Sequence, residues 1–402
     1  MVVSSEAGTS LQWLIRPVST GVFFREYWDR QTLVVNRGQP DYFGGLLTLD
    51  EVDRALTTLD LRYPNVVLKN AARKVTADDY TVGGEALDVA RVYQLFEEGS
   101  TITLAFLDNV IPALADFSRG LESEFSCPFQ TNIYLTPARA QGARHHYDTH
   151  DVFVLQVAGS KHWTIYGTPL ESPLSVQEFD SDQHERGQPT LQFTLEPGDV
   201  AYVPRGAVHD AQSADETSLH ITAGVLARTW TELLLEAVAE VCLHDPAFRK
   251  SLPPGFTRQD FDPAEARRHF QTLFRRLGEQ SSFDPILERF ADDLVSSRPP
   301  SLRGQMAQLA ALNTLSLDSV LGPRPNLAFY LRAQDDSLRL ECYGRTLTFP
   351  ARAAEAVRFA LAHSEFTVRD LPGLDDDGKL TLARRLVREG LLMILPLLRT
   401  PF

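Results

Sequence analysis

Through the middle of the chain, apolar residues alternate with polar ones or run together over four to seven positions, and after residue 228 they recur at helical spacing. Asp151–Val157 and Lys161–Tyr166 are rich in Val, Ile, Phe and Trp with Gly159-Ser160 between them, a pattern that predicts a β-hairpin. In Leu195–His209 a Pro197-Gly-Asp199 turn starts a short apolar strand and a Pro204-Arg-Gly206 turn ends it. Strands are expected from about Phe129 to Leu226, the last clear one being Ser218–Gly224.

Before this strand region the pattern is mixed. A helical Phe23-Phe-x-x-Tyr-Trp28 segment, a strand at Thr32–Asn36 and a helix opening at Thr48 come first, the last marked by the Thr-x-x-Glu spacing of a capping box. Residues 61–84 read as strand and turn, and helices at Val92–Phe96 and Val110–Phe125 flank a strand at Thr101–Phe106. After Arg228 three amphipathic helices are expected. One opens at Thr229-Trp-Thr-Glu232, another capping box, and Asp262-Pro263 and Asp284-Pro285 read as N-caps followed by proline. Ala266, Phe270, Leu273, Phe274 and Leu277 form one apolar stripe. Ser296-Ser-Arg-Pro-Pro-Ser301 reads as a linker. Beyond it come strands over Leu338–Phe349, helices over Ala351–His363 and about Lys379–Glu389, and Leu391–Leu395, an order that resembles a winged helix.

The 402 residues suffice for two or three domains, and 43% hydrophobic content is ordinary for a globular protein. A formal charge of -14 argues against nonspecific phosphate binding and leans toward basic partners. Cys127, Cys242 and Cys342 are widely spaced and odd in number, which speaks against a disulfide framework or a zinc ribbon. The N-terminus lacks the basic start and apolar run of a secretory signal, and no stretch reaches membrane-spanning length, so a cytoplasmic location is expected.

The chemistry concentrates just before the expected hairpin. His146 and Asp148 are two apart, so on an extended chain their side chains converge on one face. His209 follows the Pro-x-Gly turn, a rigid way to aim an imidazole. Two imidazoles and one carboxylate make the facial triad that suits non-haem Fe(II), and zinc is the rival metal. Lys161 bears on the choice: in phase with Trp163 and Ile165 it would face an apolar interior and require an anionic partner such as a dicarboxylate, unless it caps the hairpin in solvent. His145 and His150 are further ligand candidates. His220 and Thr222 share a strand face and would line a cavity, or His220 would be a core histidine.

The set His146-x-Asp148, Lys161 and His209, with Asn132-Ile-Tyr-Leu-Thr-Pro137 before it and Pro197-Gly-Asp199 and Pro204-Arg-Gly206 around its second half, resembles the JmjC-domain cupin oxygenases of the ribosomal-oxygenase (bacterial cupin-4) group. Phe23–Trp28 and Gly99–Leu104 extend the resemblance over nearly the whole chain, although Ser213 stands where many cupins carry Asn. The resemblance implies an α+β chain: a double-stranded β-helix (cupin/JmjC) barrel with its N-terminal buttress over 1–228, a helical dimerisation region over 229–297 and a winged-helix-like domain over 298–402. It further implies that His146, Asp148 and His209 hold Fe(II). It makes 2-oxoglutarate the co-substrate, with its distal carboxylate on Lys161 and with Asn132, Tyr134, His220 and Thr222 orienting it. With O₂ such enzymes convert 2-oxoglutarate to succinate and hydroxylate an unactivated C–H bond.

In that group the substrates are ribosomal-protein side chains, so a protein or peptide substrate and a homodimer are the expectation. Related readings are a hydroxylase of a peptide natural-product precursor and an N-methyl-lysine demethylase. From other classes come a non-catalytic or zinc-binding cupin and a winged-helix regulator. Lys379, Arg384, Arg385 and Arg388 favour DNA for the last, but Asp375-Asp-Asp377 at the start of that helix would repel phosphates.

Overall fold

Val152-Phe-Val-Leu155 is a continuous apolar run because its strand is covered on both faces, which is why alternation is lost there. Val152 and Val154 point into the barrel with Trp163, Ile165, Leu195 and Ala201. Phe153 and Leu155 point the other way, onto Leu11, Leu14, Phe23 and Phe43 of the N-terminal segments.

A computed structural model describes residues 10–181, 184, 186–298 and 302–395. The described part forms two compact units, one of residues 10–227, 302–327 and 352–395 and one of residues 228–298 and 328–351. In the first unit a seven-stranded antiparallel sheet has the spatial order 33–35, 200–203, 151–158, 218–225, 129–136, 101–105, 66–69. A three-stranded sheet, ordered 209–213, 161–165, 191–195, faces it, and the two make a cupin-type barrel.

The expected hairpin does not form. Asp151–Ala158 pairs with 200–203 and 218–225, whereas Lys161–Ile165 pairs with 209–213 and 191–195, so Gly159-Ser160 is a corner carrying the chain from one sheet to the other. Two β-rich runs around a glycine turn look alike in sequence whether they pair or part; what separates them here is that each is claimed by other partners. The corner sets Lys161 as the first residue of the small sheet, facing inward.

The capping boxes at Thr48/Glu51 and Thr229/Glu232 both form, starting helices Leu49–Thr58 and Trp230–His244. In the same unit as the barrel, Ala354–Ala362, Asp376–Arg388 and a small sheet of 366–367, 320–323 and 392–394 follow one another. Asp375 accepts from the Gly378 N–H as the N-cap of Asp376–Arg388, so the acidic run has a helix-starting role.

The other unit packs helices Trp230–His244, Ala264–Gln280 and Phe283–Ser297 with the meander Tyr330–Gln334, Ser337–Cys342, Arg345–Pro350. The meander, which the sequence groups with the residues after it, belongs here: Arg332 pairs with Asp292 at 2.6 Å, as Arg289 pairs with Glu240 at 2.8 Å. The third helix opens at Phe283 with Ser282 as N-cap, not at Asp284-Pro285; proline is tolerated there because first-turn N–H groups have no intrahelical acceptor. Trp230, Leu235 and Leu243 are exposed, as are Phe270 and Phe274 of the apolar stripe. The expected linker 296–301 lies partly outside the described residues, as does the N-terminal stretch before Ser10. Among the described residues no helix is long and apolar enough to cross a membrane.

Candidate metal and anion site

His146 and His209 arrive side by side because their backbones form an antiparallel bridge, with N–H to O distances of 3.1 and 2.8 Å. Gly206 makes the approach to His209 possible. Its φ is +82°, and a Cβ there would lie 2.3 Å from the Leu170 carbonyl oxygen. Asp148 sits between the two rings, its carboxylate oxygens 3.8 Å from His146 Nε2 and 3.8 Å from His209 Nε2. One ligand atom from each of the three lies within 4.8 Å of the others.

The tautomers are set from behind. His146 Nδ1 is 2.9 Å from the Arg144 carbonyl oxygen and His209 Nδ1 is 3.0 Å from that of Ala207. A carbonyl only accepts, so each Nδ1 carries a proton, which leaves Nε2 as the atom each ring can offer a metal ion. Burial, reinforced by His146 and opposed by Asp148, pushes the His209 imidazolium toward its neutral, ligating form. Burial works to raise the Asp148 carboxyl, but His209, His146, His150 and Lys69 outweigh it and hold it below the usual carboxylate range. The donor set fits a divalent ion: two imidazole nitrogens and one carboxylate oxygen close to one another.

Deeper in the same cavity lies Lys161, 5% exposed, with its Nζ donating to Thr136 Oγ1 at 3.1 Å; Thr101 Oγ1 donates to the same oxygen at 3.1 Å. Among the described residues no carboxylate pairs with this ammonium, and burial lowers its pKa to about 7. His220 is buried and pushed well down by burial and by Lys161; its ring stacks on Tyr134 with centroids 4.8 Å apart. Burial, then the charge of Asp148, pushes the Tyr134 phenol up, so it stays a donor. His220 Nδ1, Trp163 Nε1 and Thr103 Oγ1 line the cavity, buried and without a hydrogen-bond partner among the described residues. A cavity with one bare ammonium and three unanswered polar atoms fits an oxygen-rich anion.

Thr222 lines the cavity, whereas Asn132, on the same strand as Tyr134, does not and accepts from Gln130 Nε2 at 3.2 Å. His150 is not part of the ligand cluster; its ring packs where a side chain on residue 224 would be, and only Gly224 leaves it room. His145 packs edge-on against Phe179, away from the triad's ligand atoms. Thr136, Thr101 and Thr103 were not singled out from sequence. Thr136 had a signal, since it follows Tyr134 by two on one strand, but the two on 101–105 depend on a strand pairing that the sequence does not announce.

A JmjC domain model matches residues 108–233, which contain the triad and Lys161. Ribosomal oxygenase 1 of Rattus norvegicus is 28% identical over 96% of this chain and 72% of its own length. The Homo sapiens ribosomal oxygenase 1 is 31% identical over 74% of this chain and 49% of its own. A protein of Drosophila mojavensis named bifunctional lysine-specific demethylase and histidyl-hydroxylase NO66 is 31% identical over 62% of this chain and 29% of its own. The chain thus spans half or less of the length of some of these curated relatives. Among solved structures, that of Escherichia coli YcfD matches with TM-score 0.55 and 17% identity over 94% of this chain and 98% of the other. Another, described as the ribosomal oxygenase YcfD in complex with cobalt and 2-oxoglutarate, matches with TM-score 0.52 and 15% identity over 94% and 99%. Residues 108–233 thus carry a JmjC domain, and the chain as a whole is similar to proteins named ribosomal oxygenases.

Proposed function

We propose that this protein is an Fe(II)- and 2-oxoglutarate-dependent oxygenase that hydroxylates an amino-acid side chain in a protein or peptide. The observation that carries the reading is the pairing, in one cavity, of a three-ligand cluster with a buried ammonium that has no carboxylate partner among the described residues. His146, Asp148 and His209 would hold Fe(II) and leave one side open. Lys161, backed by Thr136, would take the distal carboxylate of 2-oxoglutarate, and Tyr134, His220 and Thr222 would orient the rest, without Asn132, which does not line the cavity. Bound Fe(II), 2-oxoglutarate and O₂ supply the oxidising chemistry, ending in succinate, CO₂ and an alcohol. The chain's own share is to bind, to orient and to keep water from the site.

A ribosomal protein is the favoured substrate, supported by relatives named as ribosomal oxygenases. The name of the Drosophila mojavensis relative also supports lysine demethylation as a second reading. Hydroxylation of a peptide natural-product precursor would use the same site. The exposed Phe270/Phe274 stripe and the exposed face of Trp230–His244 support a homodimer built on residues 229–297. The order of Ala354–Ala362, Asp376–Arg388 and strand 392–394 supports a winged-helix-like domain within 298–402, in which DNA binding is disfavoured. A reducing cytoplasm suits three widely spaced thiols.

The test is anaerobic reconstitution with Fe(II), then succinate production from 2-oxoglutarate under air, in wild type, Asp148→Ala and Lys161→Ala. Uncoupled turnover that collapses in both variants is expected. Wild-type turnover in Asp148→Ala would sink the assignment; a wild type that binds zinc and makes no succinate would favour the non-catalytic cupin.

A further inference from the structure

The two chain segments that bring the triad together leave their ladder well before they reach it. The last pair of strands 151–158 and 200–203 is Val152–Val203, and the next backbone pairing is the His146–His209 bridge, six residues further along each chain. Among the described residues, two links cross that gap. One is the Gly206 N–H to the Asp148 carbonyl oxygen at 3.0 Å. The other is ionic.

Asp151 is fully buried. Its Oδ1 accepts from the Tyr202 hydroxyl at 2.8 Å and from the Arg205 backbone N–H at 3.3 Å, and its Oδ2 accepts from Arg205 Nη1 at 3.1 Å. Arg205 Nη2 lies 3.0 Å from Asp29 Oδ1, and the Asp29 N–H donates to the Tyr202 hydroxyl at 3.0 Å. The four residues close a ring that ties both ligand-bearing segments to the turn at Asp29, where φ is +55°.

A buried ion pair is a poor way to gain stability, because desolvation consumes most of the attraction and packed apolar residues would serve as well. It is a good way to fix geometry, since a guanidinium fork and a carboxylate hold both distance and orientation. We propose that Arg205 and Asp151, anchored through Asp29, are positioning residues that set the spacing of Asp148 and His209 and so raise the affinity of the triad for a divalent metal ion. The proposal rests on the metal-triad reading above.

The test is Co(II) affinity by chelator competition, together with the visible absorption of the Co(II) protein, in wild type, Arg205→Met, Arg205→Lys, Asp29→Asn and Asp148→Ala. Arg119→Met is the control, because Arg119 is a similarly sheltered partner of Glu122, at 2.6 Å, within the helix Pro112–Phe125. Arg205→Met is expected to weaken Co(II) binding by about 10–100-fold and to change the absorption envelope. Arg205→Lys and Asp29→Asn should fall between it and wild type, and Arg119→Met should match wild type. An affinity in Arg205→Met within about twofold of wild type, the scatter expected for uncoupled sites, overturns the proposal. So does an equal loss in Arg119→Met. Should Arg205→Met not fold, wild-type affinity in both Arg205→Lys and Asp29→Asn overturns it. Co(II) affinity that survives Asp148→Ala sinks the triad itself, whereas loss in Asp148→Ala with none in the Arg205 variants sinks the positioning role alone.

Discussion

Lys161→Met removes the ammonium while keeping the length and most of the volume of a side chain that is 5% exposed. The pKa of Lys161 falls from 10.5 to about 7 on burial. A folded-state value below the unfolded one means that the unfolded chain holds the extra proton, so the lysine destabilises the fold fully below pH 7. Its penalty shrinks as pH rises toward 10.5. From linkage, the penalty is about 4 kcal/mol at pH 7 and about 2 kcal/mol at pH 9. The ligand-free Lys161→Met protein should therefore be more stable than wild type, and its advantage should shrink by about 2 kcal/mol between pH 7 and pH 9.

The absolute offset carries other contributions, including the lost hydrogen bond to Thr136, worth about 1 kcal/mol, whose proton-dependent part is already contained in the pKa of Lys161. The slope does not carry them. His220, whose depression owes part to Lys161, titrates below this window in both proteins. Urea unfolding of wild type and variant at pH 7, 8 and 9 gives the difference directly, provided that m is unchanged. A stability difference that stays constant to within about 0.5 kcal/mol over that range would refute the claim that the ammonium is desolvated. Lys161 would then have no need of an anionic co-substrate.

Three other outcomes are expected. At pH 8 an ammonium with pKa about 7 is mostly deprotonated, so 2-oxoglutarate binding to the Co(II)-loaded protein without O₂ should take up about 0.9 proton. Calorimetry in buffers of different ionisation enthalpy measures this, and Lys161→Met should show none. Gly206→Ala forces a side chain into a left-handed turn 2.3 Å from the Leu170 carbonyl; it should lower stability by about 1–3 kcal/mol in denaturant unfolding and weaken Co(II) binding, and wild-type values for both would refute the account of how His209 is aimed. If the apolar stripe is a self-association face, Phe270→Ser with Phe274→Ser should halve the mass seen by light scattering while secondary structure by circular dichroism persists; an unchanged mass would remove the stripe from the interface.

How much of this was legible beforehand depended on whether the signal was local. The triad was, because His146 and Asp148 are two apart on one chain and His209 follows its own turn. The helix starts at Thr48 and Thr229 were, because a capping box is complete within four residues. The fate of Gly159-Ser160 was not: a hairpin and a corner share the same residues, and only the pairing of 161–165 with 191–195 and 209–213 tells them apart. Likewise Asp151 and Arg205, 54 positions apart, give no sign in sequence that they meet.

The same distinction explains why Lys161 stood between two readings. Its phase with Trp163 and Ile165 pointed inward, but a lysine at a hairpin turn has water within reach. The corner decides, because a residue that opens a strand of the second sheet begins beneath the first, where it donates to Thr136. Burying that ammonium destabilises the unliganded fold, and such a cost is sustained only where a ligand returns it on binding. The misplaced hairpin and the lysine that pairs with no carboxylate among the described residues are thus one fact: the turn that changes sheets is also what carries an amine into the cavity that His146, Asp148 and His209 line.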